Sequence, residues 1–248
     1  MNKQQLFIST MAEDAAETAR GFGLGVELAQ FCWAENMDTH LKEAEQDVAR
    51  TLISPRRVLH APFSELCPAA IDPLVLDVTA RRYRQAAQLA ARYGAKKMVV
   101  HSGFTPLVYY PEWFCPRAAA FWRALAADTG LTLCVENVLE EQFDTLLETV
   151  RQANDAHVRV CLDIGHAHCQ GGDVLPWVEA LAPWLSHVHL HSNPGARDEH
   201  LPPFEGDQDV PALLRAIERL APGVTYTLEV FSARTSVEWL LKEGFLHD

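Results

Sequence analysis

Apolar runs of β type alternate along this chain with amphipathic stretches of helical period. The β-type runs cover 6–10, 25–31, 57–63, 97–103, 131–138, 158–167, 186–193 and 224–231. They recur about every 31 residues, an eighth of the 248-residue chain. Most are near-continuous in Val, Leu, Ile and Cys rather than alternating, the pattern of parallel strands covered on both faces. Between Thr79 and Tyr93, Thr79, Tyr83, Ala86, Ala90 and Tyr93 share one helical face, while Arg81, Arg82, Arg84, Gln85, Gln88 and Arg92 take the other. Further on, Val210, Leu213, Leu214 and Ile217 face inward and Arg215, Glu218 and Arg219 outward. There Asp209 is placed to cap the helix and Pro211 falls in its first turn. Eight strands alternating with helices predict an α/β fold, a (β/α)8 TIM barrel forming one domain over 1–248. A doubly wound open sheet competes, but no glycine-rich loop follows the first run to support it.

Composition narrows the class. With 48% hydrophobic and 22% charged residues the chain can bury a core. No apolar run approaches the ~18 residues of a membrane span, and the start, MNKQQLFISTMAEDAAETA, does not read as a secretory signal. Six scattered cysteines without a CxxC pair read as reduced thiols of a cytoplasmic protein. Lys and Arg number 21 against 33 Asp and Glu, and the net charge of −12 argues against a general polyanion binder.

In such a barrel the chemistry lies at the C-terminal ends of the strands. The third run closes on His60 (VLHAPF) and the fourth on His101 (VVHSGF). The fifth carries Glu136 (CVENV), and the sixth Asp163 with His166 and His168 (CLDIGHAH). The seventh has His187, His189 and His191 (HVHLHSN), followed by Asp198 and His200 in RDEHLPPFEGD; the eighth ends on Glu229 (TLEVF). A lone histidine at a strand end is ordinarily a hydrogen-bonded core residue, and that reading is applied to His187 and His191, which are expected to point differently from His189. One buried glutamate could pair with a backbone amide or an arginine. Three converging carboxylates are another matter: they repel one another in a dry place, and each would cost several kcal/mol or take up a proton. No Lys or Arg stands at these strand ends, so a divalent metal is the expected counter-charge, and neutral His with carboxylate suits Zn, Mn, Fe or Co.

The ordered set of motifs resembles the xylose-isomerase-like TIM barrels, the superfamily that includes endonuclease IV (AP endonuclease family 2) and the sugar isomerases and epimerases. The resemblance runs from His60 to Glu229, one motif per strand. In the sugar-epimerase branch it implies one divalent ion on Glu136, Asp163, His189 and Glu229, with His166 touching substrate. In the endonuclease IV branch it implies three zinc ions. His60, His101 and Glu136 would hold the first, Glu136, Asp163, His189 and Glu229 the second, and His166, Asp198 and His200 the third. All nine positions carry the expected residue types. The seventh-strand motif departs from the nuclease pattern, reading HLHS where that pattern has Asp after His-Leu.

The loops around the mouth point away from nucleic acid. Their clear basic residues are Arg197 and Arg234, whereas MAED, AENMD, SEL and EEQ are acidic or apolar. A DNA-binding rim needs several cations on phosphates, so a duplex is not the expected partner. The fourth loop, FTPLVYYPEWF, holds Phe104, Tyr109, Tyr110, Trp113 and Phe114, either a wall against the apolar face of a sugar ring or the anchor of a long loop. Trp33 carries the same two readings.

The expected function is a divalent-metal-dependent isomerase or epimerase of a small sugar, sugar phosphate or polyhydroxy ketone, working through an enediolate. Zinc or manganese is the expected metal, one to three ions. Glu136 and Glu229 would move the proton, and His166, Arg197 and Trp113 would bind substrate, with His200 also able to meet a phosphate. The alternatives are a multi-zinc phosphoester hydrolase cleaving DNA at abasic sites, and a barrel that binds metal and ligand without turnover. Exposed helices leave room for a homodimer.

Overall fold

The computed structural model describes residues 1–52 and 54–247. Eight parallel strands close into a barrel in chain order, β1 pairing with β8. They are β1 Leu6–Ser9, β2 Gly25–Leu28, β3 Arg57–His60, β4 Lys97–His101, β5 Thr132–Glu136, β6 Val158–Asp163, β7 Leu185–Leu190 and β8 Thr225–Leu228. The helices around them are α1 Ala15–Phe22, α2 Ala34–Asp38, α3 Leu41–Thr51, α4 Pro73–Arg92, α5 Pro111–Thr129, α6 Asp144–Ala153, α7 Ile164–Gly171, α8 Leu175–Leu181, α9 Val210–Leu220 and α10 Arg234–Lys242. The alternation read from the sequence is therefore a (β/α)8 TIM barrel.

Local signals account for the helix starts. Asp72 accepts the Leu74 N–H ahead of Pro73, the first residue of α4. Asp209 accepts the Ala212 N–H at the start of α9, with Pro211 in its first turn. The faces follow the expected pattern: Thr79, Tyr83, Ala86, Ala90 and Tyr93 are buried, as are Val210, Leu213, Leu214 and Ile217.

The strands are shorter than the apolar runs. The run 25–31 leaves the sheet after Leu28 and turns into a 3-10 helix at Gln30–Cys32. The run 158–167 leaves it at Asp163, whose carboxylate accepts the His166 N–H and caps α7. His166 and His168 thus stand on a helix rather than on the sixth strand, because a capped turn outcompetes continued extension at the barrel rim.

Two apolar layers result. The larger lies between strands and helices and includes Tyr83, Trp122 and Trp177. The smaller fills the inside of the barrel: Phe7, Val58, Val99, Cys134 and Cys161 form a separate plug. Gly25 makes room for it, since a Cβ there would lie 2.4 Å from the Phe7 ring. The six cysteines are free thiols. Among the described residues no helix is long and apolar enough to cross a membrane.

Candidate metal centre

Side chains two apart on a strand point to the same face. Each strand that lends Val58, Val99, Cys134 or Cys161 to the plug therefore also turns His60, His101, Glu136 or Asp163 inward, one layer nearer the mouth. Glu27, His189 and Glu229 join them, and all but His101 are buried. The same rule corrects the reading of β7. His187, His189 and His191 form one inward column, not alternating directions, and all three are fully buried.

His189 stands at the centre. Its Nδ1 lies 3.1 Å from Glu136 Oε1, 3.0 Å from Glu229 Oε2 and 3.5 Å from Asp163 Oδ2. On the far edge of the ring, Nε2 lies 3.1 Å from Glu27 Oε1, off the line of a hydrogen bond. Glu27 is anchored beneath by Thr227, whose hydroxyl donates to Oε2 at 2.6 Å, and by His187, whose Nε2 approaches the same oxygen at 3.0 Å. The second oxygen of Glu136 faces His60 Nε2 at 3.4 Å and His101 Nε2 at 3.5 Å, yet it is buried and bonds to neither.

A third set lies toward β7 and the loop after it. Asp198 Oδ2 is 2.9 Å from His200 Nε2 and 3.2 Å from His166 Nε2, and its Oδ1 is 3.6 Å from His191 Nδ1. His191 reaches back through Nε2 to both Asp163 oxygens at 3.0 Å. Its ring fits only because residue 165 is glycine, where a Cβ would lie 2.0 Å from the imidazole. Asn137 ties the ends of β5 and β6 together, donating to the Asp163 carbonyl and accepting the Asp163 N–H, both at 2.9 Å.

The residues fit a divalent ion. Donors about 2.0–2.1 Å from a tetrahedral zinc stand ~3.3 Å from one another. The separations around Glu136 and His189 are of that size, and Glu136 Oε2 is left with no partner of its own. Among the described residues, four groups have donor atoms that all lie within 4.8 Å of one another: His60, His101 and Glu136; Glu136, Asp163, His189 and Glu229; His191, Asp198 and His200; and Glu27, His60, His189 and Glu229, which overlaps the first two. The first two are the sets the resemblance implies. In the third, His191 stands where His166 was expected, with His166 against the Asp198 oxygen that faces His200.

The ion pairs of these buried carboxylates are with imidazoles. Burial opposes the charge on Glu136, but His189 and His101 hold its carboxyl well below the usual range; Glu27 is held down likewise by His189 and His187. Asp163 is held down by His166 and His191 against the same burial. The imidazoles diverge. Burial lowers His101 and His187 to about 4, whereas for His60 the neighbouring Glu136 outweighs burial and raises it to about 8. For His200, Asp198 does the same, raising it to about 9.

The remaining candidates spread around the mouth. Arg197 is exposed, and Arg234 pairs with Glu17 at 2.7 Å, so half of the expected basic rim is already neutralised. Trp113 is half-buried in the first turn of α5, stacked on Tyr109 at 5.5 Å with the Arg117 guanidinium 4.0 Å from its ring centre. Phe114 is buried and packs with Phe104, whereas Tyr110 is exposed. Trp33, also exposed, leans on Phe63, which stacks on His101 at 4.5 Å. His168 bonds through Nδ1 to the Gly172 carbonyl and lines a separate lateral cleft.

Sequence reasoning missed Glu27 and Phe63. The signal for Glu27 was present in GVEL, a carboxylate inside an apolar run like those in CVENV and TLEVF. Phe63 is the last residue of the third-strand motif VLHAPF, three positions after His60.

Known proteins resemble this one over most of its length. Uncharacterized protein MJ1311 of Methanocaldococcus jannaschii is 28% identical over 194 residues, 73% of this chain and 66% of that protein, so the match falls just short of two thirds of its length. The TTHB071 protein from Thermus thermophilus, solved after soaking with ZnCl2, is 25% identical with a TM-score of 0.77, covering 97% of each chain. A D-tagatose 3-epimerase-like protein is 23% identical with a TM-score of 0.75, covering 98% of this chain and 97% of that one. With the closed barrel and the ordered strand-end motifs, the match of residues 19–244 to the family model of that description makes this chain a member of the xylose isomerase-like TIM barrel family.

Proposed function

We propose that this protein is a divalent-metal-dependent isomerase or epimerase of a small sugar, sugar phosphate or polyhydroxy ketone. The convergence of Glu136, Asp163, His189 and Glu229, four buried donors within 4.8 Å of one another, carries the reading. The likeness to a D-tagatose 3-epimerase-like protein and to one solved after a zinc soak supports it. Zinc or manganese would be held by these four residues, and His60, His101, His166, Asp198 and His200 provide donors for further ions. Such an ion, when bound, supplies the Lewis acidity that steadies negative charge on a substrate oxygen as a proton leaves the neighbouring carbon.

The chain's own groups do the proton work. Glu136 ends β5 and Glu229 directly follows β8, three strands apart around the ring, so they approach a substrate carbon from different walls. Burial disfavours their charge, yet His189 holds both carboxyls below their ordinary range, so both are bases at neutral pH. One removes the proton beside the carbonyl and the same or the other returns it. His166, between Glu136 and Asp198, and Arg197 on the exposed loop bind substrate oxygens, while the Trp113 loop walls the ring. The test is deuterium uptake from D2O beside the carbonyl across a panel of ketoses, read by NMR on the metal-loaded protein. Uptake that disappears in Glu136→Gln is expected; uptake at an undiminished rate in that variant would sink the assignment.

A multi-zinc phosphoester hydrolase is the second reading, favoured by one observation: several donor groups adjoin, His60, His101 and Glu136 sharing Glu136 with the set Glu136, Asp163, His189 and Glu229, and His191, Asp198 and His200 lying beyond them. Close to three zinc per chain, with cleavage of a simple phosphodiester and no deuterium uptake, would select it. One metal lost in Asp163→Ala would select isomerisation.

A further inference from the structure

A cleft of about 330 Å³ opens beside the metal centre, between the loops that follow β3, β4 and β5. His101 belongs to both. The rest of the cleft has a different chemistry. Phe63, Leu66, Phe104, Val108, Tyr109 and Leu139 make most of its wall, and Glu65, exposed, is the only Asp, Glu, Lys or Arg among its lining residues. Leu139 and Val108 stay 42% and 60% exposed, which leaves apolar surface facing water beside a centre built for oxygen ligands. Of the four non-glycine residues with positive φ among the described residues, two, Glu65 at 59° and Leu107 at 66°, lie in the loops that frame it. Such backbone is held where the surroundings fix a shape, and it clusters at ligand clamps.

A bare polyol lying here would leave its hydroxyls short of partners, and a phosphate would meet no cation. We propose that the cleft receives an apolar substituent, alkyl or aryl, carried by a substrate whose oxygen-rich head is held at the metal centre. The substrate class is then a polyhydroxy carbonyl compound with an apolar appendage, such as a ketose bearing an alkyl or aryl ether on a hydroxyl remote from its carbonyl, rather than a free sugar. Phe63 joins the two regions, one face stacked on His101 and its ring tilted against Trp33 at 5.6 Å. The volume accommodates a phenyl ring or a short alkyl chain.

This rests on the metal-dependent reading above, and hydroxamates separate the two. Acetohydroxamate, a chelating head with almost no tail, is titrated into the zinc-loaded protein by calorimetry, followed by butano-, hexano- and benzohydroxamate. Affinity is expected to rise about fourfold per added methylene. Leu139→Asp and Val108→Asp, at exposed positions that leave the fold intact, are expected to abolish the rise without changing acetohydroxamate affinity. Equal affinity along the series, or a rise that both variants retain, overturns the cleft assignment while the metal reading stands. A protein that holds neither zinc nor manganese, or whose loaded form ignores acetohydroxamate, overturns both.

Discussion

Two layers inside the barrel differ by two residues along each strand and by almost everything else. Val58, Val99, Cys134 and Cys161 close the lower layer, where each apolar surface is covered by another. His60, His101, Glu136 and Asp163 form the upper layer, where buried polar atoms such as Glu136 Oε2 remain without partners. Backbone geometry is the same in both, since period two places them on one face. What differs is whether the layer is complete without a ligand. The plug is complete and contributes stability by excluding water, whereas the mouth layer gathers charge that only imidazolium or a metal ion offsets. The two glycines repeat the contrast. Gly25 lets an apolar ring seal the plug, and Gly165 lets an imidazole reach a carboxylate.

The contrast is testable by exchanging the character of each layer. The largest effect belongs to Glu136→Gln, expected to lower turnover by about 10³ or more while leaving the melting temperature close to that of the parent. A collapse in thermal stability instead would show that Glu136 behaves as a core residue. Val99→Asp in the plug should do the reverse, unfolding the protein by about 3 kcal/mol or more in urea titrations because the new charge has no partner. A tolerated aspartate there would mean that water reaches the lower layer.

Glu27→Gln lies between. It touches no proposed reacting atom, but it stands behind His189 and is tied to His187 and Thr227. Zinc affinity should fall about 10- to 100-fold, as for other partners standing behind metal-bound histidines, with little loss of fold. Unchanged affinity by competition with a chelating dye would remove Glu27 from any role in placing the imidazole.

The smallest effect is a pH dependence. His60 at about 8 and His200 at about 9 lie above the unfolded value of ~6.5, so their stabilisation is present below 6.5 and is lost as pH rises through 8 to 9. The share from His60 is about 2 kcal/mol. His101 and His187, lowered to about 4, work oppositely: stability falls as pH drops from 6.5 toward 4. Melting of chelator-treated protein should therefore decline on both sides of about 6.5. Zinc should flatten the alkaline limb, because liganded imidazoles no longer depend on a proton. An alkaline limb identical with and without zinc would place these histidines outside the metal centre.

Much of this was legible in the chain itself. A carboxylate inside a run such as CVENV or TLEVF has no solvent-facing alternative in a strand covered on both faces, so burial followed from the pattern. Asp163 capping α7 was less legible, because the run 158–167 stays apolar past the point where the helix begins. The β7 histidines were misjudged through periodicity alone: residues 187, 189 and 191 share a face, and the structure brings His191 to Asp163 and Asp198. Glu27 escaped because GVEL is short and its partner, His187, lies 160 residues away.

The sequence by itself determined the alternation of strands and helices, the helix caps, and which strand ends carry acid or imidazole, because each is set by neighbours a few residues apart. Tertiary structure alone decided which donors meet: that Glu136 serves two groups, that His191 joins Asp198 and His200, and that an apolar cleft opens beside His101. The stagger and tilt of eight closed strands bring these groups together, and that closure belongs to the whole ring rather than to any one segment of it.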